Sequence, residues 1–148
     1  MSFNESNEPS PHHRIAFVCV RNAGRSQMAT AFAERERERR SGGDMVGIVS
    51  GGTRPADSVH PVVITAMRER DIDIGDRSPR SISPEELQAV ELVITMGCSA
   101  SDVCPAGWHG ETRDWDLTDP KGRSIETVRG IRDEVEQNVM ALFDELIG

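Results

Sequence analysis

Short apolar runs alternating with helix-period stripes constrain this chain more than any other feature. Ile15-Ala-Phe-Val18, Met45-Val-Gly-Ile-Val49 and Leu92-Val-Ile-Thr-Met96 are strand-sized and β-rich, and the stretches between them carry apolar residues three and four apart. The first run leads through Cys19 and a glycine-containing turn into a helix expected over Ser26 to Arg40. There Met28, Ala29, Phe32 and Ala33 share a face, while Glu34 to Arg40 sets ion pairs on a solvated side. Ser41-Gly-Gly43 stops it. A second helix is expected from Val59 to about Arg70, with Val62, Val63, Ala66 and Met67 as its buried stripe. Ser83-Pro-Glu-Glu86 supplies an N-cap, a first-turn proline and a capping-box glutamate for a short helix. Trp115, near Arg113, marks a short fourth strand, and Ile125, Val128, Ile131, Val135, Val139, Leu142 and Leu146 outline a long C-terminal helix. Strands alternating with helices imply right-handed βαβ units and a parallel sheet covered on both faces. The expectation is a single three-layer α/β domain over residues 14–148, preceded by a disordered tail over 1–13.

Composition narrows the function. The chain has 148 residues, enough to bury roughly 68–70% of its unfolded surface without a disulfide or structural metal. No apolar run approaches the roughly 20 residues of a membrane span, and Met1 to Arg14 lacks the apolar centre of a secretory signal. The net charge of −8 speaks against nucleic acid, whose phosphates need a basic face. Three cysteines are an odd number, unsuited to a secreted disulfide framework. A monomer in a reducing cytoplasm is the expected form, with its thiols used in chemistry or packing.

The chemistry concentrates in Cys19-Val-Arg-Asn-Ala-Gly-Arg25-Ser26, a C-x5-R-S pattern between a strand and a helix. In open α/β sheets ligands sit at the carboxyl ends of strands. A loop entering a helix points several unpaired N–H groups at one spot, where the helix dipole favours an anion. Val20, Arg21, Asn22, Ala23, Gly24, Arg25 and Ser26 therefore form a candidate oxyanion cradle. The Arg25 fork can grip two oxygens, and the same positive field favours the Cys19 thiolate. Ser26 can donate to that thiolate, Gly24 permits a tight or positive-φ turn, and Asn22 can brace the loop or adopt a left-handed conformation.

Val18 to Ala29 resembles the low-molecular-weight tyrosine phosphatase superfamily, specifically its arsenate reductase branch. Ser50 to Asp57, Val59-His-Pro61, Ile94 to Cys98, Cys104-Pro105 and Asp114 to Pro120 extend the resemblance over most of residues 14–147. It implies a four-stranded parallel sheet and attack of the Cys19 thiolate on arsenate or phosphate. Either reaction needs a proton donor. Asp119, held extended by Pro120, is the first candidate and the one the family's Asp-Pro loop indicates; Asp116 is the second.

Cys98 and Cys104 separate the two activities, because reducing arsenate takes two electrons whereas a phosphatase needs one thiol. The relay this implies is a Cys19–arsenate adduct, then a Cys19–Cys98 disulfide with release of arsenite, then a Cys98–Cys104 disulfide reduced by thioredoxin or an equivalent dithiol. A regular helix would separate Cys98 from Cys104 by about 9 Å of rise, beyond the ~7 Å a disulfide spans. The segment from Ser99 to Asp102 and Pro105 to Gly107 must then be non-helical or rearrange. No cofactor or metal is implied: Thr30 stands where thioredoxin-linked relatives often place a potassium-site glutamate, and Cys98, Cys104 and His109 match no common zinc spacing. His60 before Pro61 reads as a helix-start residue, and Trp108 and His109 as packing. The alternative is a tyrosine phosphatase using Cys19, Arg25 and Asp119 alone, although Lys121-Gly122 follows Pro120 where such enzymes usually carry aromatic residues. A non-catalytic anion- or metalloid-binding sensor is a third reading.

Overall fold

A computed structural model describes residues 13–98, 103–104 and 107–148. The expectations for the N-terminal tail, for Ser99 to Asp102 and for Pro105 to Ala106 lie outside the described residues, except that His13 already belongs to the first strand.

Four strands, β1 (His13–Cys19), β2 (Val46–Gly52), β3 (Leu92–Met96) and β4 (Glu111–Asp114), form one sheet in the order β2-β1-β3-β4. Every pairing is parallel. The central strand β1 reads as a nearly continuous apolar run because it is covered on both faces. Ile15, Phe17 and Cys19 join the larger core, whereas the alternate residues Ala16 and Val18 join a smaller one on the other face. Trp115 lies just beyond β4 and packs against Phe17 in a tilted arrangement, ring centres 5.8 Å apart.

The larger core is closed by α1 (Arg25–Arg39), α2 (Pro61–Arg68) and α4 (Ile125–Ile147). Met28, Ala29, Phe32 and Ala33 of α1 are buried as their spacing requires, as are Val63, Ala66 and Met67 of α2. On α4 the stripe of Val128, Ile131, Val135, Val139 and Leu142 is buried, with Phe143 beside it. The smaller core sits under α3 (Pro84–Gln88), whose Ser83 and Glu86 make the reciprocal capping box. No helix among the described residues is long and apolar enough to cross a membrane.

The charge run on α1 departs from a purely solvated face. Glu36 is buried, its side chain only 4% exposed, and clasped by Arg35, Arg39 and Arg40. Arg40 reaches on to Asp144 at 2.5 Å, and Arg35 to Glu136 at 2.8 Å. The run therefore faces α4 on one side, and the tertiary partner turns an apparent surface pattern into a buried ionic clasp.

Candidate active site

Cys19 ends the central strand, 2% exposed, and after a loop of five residues the chain enters α1 at Arg25. The loop is held by its carbonyls. Those of Cys19, Val20, Arg21, Ala23 and Gly24 accept from the backbone of Thr53, Arg54, Ala56, His60 and Met28, and that of Asn22 accepts from the Gln27 side chain at 3.0 Å. With the carbonyls turned outward, the amides of Arg21, Ala23, Gly24, Arg25 and Ser26 have no acceptor among the described residues. Buried backbone donors normally find acceptors; a set converging at a helix N-terminus is suited to receive a tetrahedral anion.

Asn22 is the keystone. Its φ of 51° is left-handed, which asparagine tolerates, and turns its amide to donate to Cys19 Sγ at 3.2 Å. Its Oδ1 accepts from the Arg80 amide at 3.0 Å and from Gln27 at 3.1 Å, so its Nδ2 is left to donate to Ser26 Oγ at 2.7 Å. That bond occupies a lone pair of the hydroxyl and leaves its hydrogen for Cys19 Sγ, 2.9 Å away. Two donors aimed at one sulfur stabilise negative charge there.

Gly24 has φ −143°, so of the two turns expected there the positive-φ one is not used. It is glycine because of close approach: a Cβ would lie 2.6 Å from Pro120 Cγ. Two further glycines do similar work. A Cβ on Gly52 would meet the Val20 carbonyl at 2.6 Å, and Gly97, at φ +89°, leaves the space taken by the Arg25 guanidinium, 2.7 Å from where its Cβ would stand. Sequence reasoning missed Gly52, Gly97, Gln27 and Arg80; a glycine closing each apolar strand run was the only signal for the first two.

Arg25 is 11% exposed at its side chain. Its Nη1 donates to the Leu117 carbonyl at 3.1 Å and its Nη2 lies 3.8 Å from Asp119 Oδ2. Asp119 is 52% exposed and also accepts from the Lys121 amide at 3.1 Å. Asp116 makes no ion pair among the described residues, so Asp119 is the carboxylate brought to the loop. His60 caps α2 through its backbone; burial pushes its imidazole below the ordinary range, with Asp119 opposing and Lys121, Arg21 and Arg25 reinforcing.

All three cysteines are reduced. Cys98 and Cys104 pack, partly buried, against the smaller core, on the opposite face from the cluster that holds Cys19. Cys98 Sγ nevertheless donates to the carbonyl of Val18, next to Cys19, at 3.6 Å. Burial pushes the Cys104 thiol up. Trp108 packs on the same core and donates to the Val90 carbonyl at 2.9 Å. Among the described residues no group of three or more histidine, cysteine, aspartate or glutamate side chains is placed to hold a metal.

Comparison with known proteins agrees with this geometry. The model of the low molecular weight phosphotyrosine protein phosphatase family matches residues 14–147. A Halobacterium salinarum protein named "Putative arsenate reductase" is 53% identical over 135 residues, 89% of this chain and 92% of its own. A thioredoxin-dependent arsenate reductase of Corynebacterium glutamicum superposes with TM-score 0.73 at 32% identity, over 91% of this chain and 62% of that one. A solved arsenate reductase in its phosphate-binding state gives TM-score 0.73 at 29% identity, over 90% and 98%. With the family model spanning residues 14–147, nearly the whole sequence, the chain belongs to the low-molecular-weight phosphotyrosine protein phosphatase family.

Proposed function

We propose that the protein reduces arsenate to arsenite through a three-cysteine relay, as a cytoplasmic enzyme of arsenic detoxification. The observation that carries this reading is Cys98: a second thiol, hydrogen-bonded to the carbonyl beside the nucleophile, is superfluous to a phosphatase and required by a reductase. The named arsenate reductases among its relatives support the substrate.

The Cys19 thiolate attacks arsenic while the loop amides and Arg25 hold the oxygens. Asp119 gives its proton to the departing hydroxyl, which leaves as water. Cys98 thiolate then attacks Cys19 sulfur; the sulfur–arsenic bond breaks, its electron pair stays on arsenic, and arsenite leaves a Cys19–Cys98 disulfide. Cys104 attacks Cys98, expelling the Cys19 thiolate and leaving a Cys98–Cys104 disulfide. Two electrons have passed from thiols to arsenic, and a dithiol protein of the thioredoxin kind restores them. Cys98 and Cys104 pack against the smaller core and Cys19 in the larger one, so the relay requires the Cys98 sulfur to change partners between steps.

The competing reading is a phosphatase, because Cys19, Arg25 and Asp119 form a complete site without the other thiols. Fully reduced protein given arsenate without reductant decides between them. Arsenite with two thiols lost per chain supports the relay; steady aryl phosphate hydrolysis with no thiol loss overturns it.

A further inference from the structure

Almost every cation of this chain is spent on an ion pair. Sixteen arginines and Lys121 are present, and among the described residues only Arg21, Arg37, Arg54, Lys121 and Arg123 form none. Four of the five lie on segments that flank Cys19, and all four are exposed. Arg21 is in the loop itself. Arg54 is held alongside it, its amide donating to the Val20 carbonyl at 2.8 Å. Lys121 follows Pro120, which touches Gly24, and Arg123 closes the same turn. Arg21 and Lys121 both act electrostatically on His60, beside the loop. The carboxylates of these segments are Asp57, Asp116 and Asp119, and Asp119 faces Arg25. With Arg25 these four cations make five against three carboxylates on the segments around Cys19, on a molecule whose net charge of −8 would otherwise repel an anion.

We propose that Arg21, Arg54 and Lys121 form an outer rim that collects tetrahedral oxyanions and delivers them to the Cys19 cradle. It rests on reading the loop as an oxyanion site. Cations left without carboxylate partners keep their full field, and clustered charge of one sign raises local counter-ion concentration and capture rate. Such a field is screened beyond about 10 Å at 0.1 M salt, so its contribution is greatest at low ionic strength. Arg37, equally unpaired but on the outer face of α1, provides a control of identical charge change.

The test uses reagent charge rather than turnover. Carboxymethylation of Cys19 by the anion iodoacetate and carbamidomethylation by neutral iodoacetamide are timed on the reduced protein, with the Cys19 peptide followed by mass spectrometry. Taking the ratio of the two rates cancels changes in the reactivity of the thiol. In the Arg54→Gln/Lys121→Gln variant the ratio is expected to fall about threefold or more at 10 mM ionic strength, and to match the parent near 1 M salt. Arg37→Gln is expected to leave the ratio unchanged. A ratio that does not move, or that moves equally in Arg37→Gln, overturns the rim. Failure of arsenate reduction itself would leave the ratio intact, because no arsenic chemistry enters the measurement.

Discussion

At the scale of single residues, the site depends on a few atoms whose partners are fixed. Ser26→Ala removes a donor to the Cys19 sulfur while keeping the helix start. Losing a hydrogen bond to a charged group costs about 1.5–3 kcal/mol, so the chemical step is expected to slow by roughly ten- to a hundredfold, read as single-turnover arsenite formation. Cys104→Ser should still release one arsenite per chain but fail to cycle with a dithiol reductant, because its Cys19–Cys98 disulfide has no onward partner. Normal cycling by that variant would exclude the relay. Gly97→Ala places a methyl 2.7 Å from Arg25 Nη1 at a backbone φ of +89°. It should displace the guanidinium and weaken phosphate binding, measured by calorimetry, more than it lowers the melting temperature.

Elements carry the pH response. His60 sits at the N-terminus of α2, tied to Ala23 of the cradle by a 3.0 Å hydrogen bond. Burial holds its imidazole below the ordinary value of 6.5, so the folded state prefers the neutral form. Its contribution to stability is therefore complete above about pH 6.5 and lost as pH falls through the lower folded value. His60→Gln should flatten this part of a plot of melting temperature against pH; an unchanged slope would assign the acid response to other groups. The capping box of α3 carries an acid response of its own. Arg80 and the Ser83 amide hold the Glu86 carboxyl below the ordinary carboxylate range, so its contribution is present above about pH 4.5 and lost as pH falls through the lower folded value. Ser83→Ala should cost about 1 kcal/mol in urea unfolding at neutral pH.

Across the whole molecule, α1 and α4 are joined by both apolar and ionic contacts. Glu36 is clasped by three arginines, one of which continues to Asp144 on α4. Removing one partner of a buried charged cluster leaves the others uncompensated, so Glu36→Ala is expected to destabilise by about 3–5 kcal/mol. Phe143→Ala, a fully buried ring in the same interface, should cost a similar 3–5 kcal/mol through loss of burial and cavity formation. Urea unfolding of both variants and their combination would show non-additivity, since Arg40 lies over the Phe143 ring at 5.8 Å.

Much of this was legible in the chain. Strand and helix periods are local, so β3 was located to the residue, α3 by its capping residues, and α4 within a residue of its observed end. The C-x5-R-S spacing placed Cys19, Arg25 and Ser26 because a strand, a five-residue loop and a helix start leave little geometric freedom. What the sequence did not disclose depends on residues distant in the chain. Arg80, 58 residues from Asn22, fixes its amide; Gly97 makes room for a guanidinium from α1; α4 turns the α1 charge run into a buried clasp. The approach of Asp119 to Arg25, and the placing of Cys98 and Cys104 against the other core from Cys19, belong to the same class. Period and spacing are determined by the backbone's own geometry, whereas close approach and charge pairing are decided only when separate elements pack.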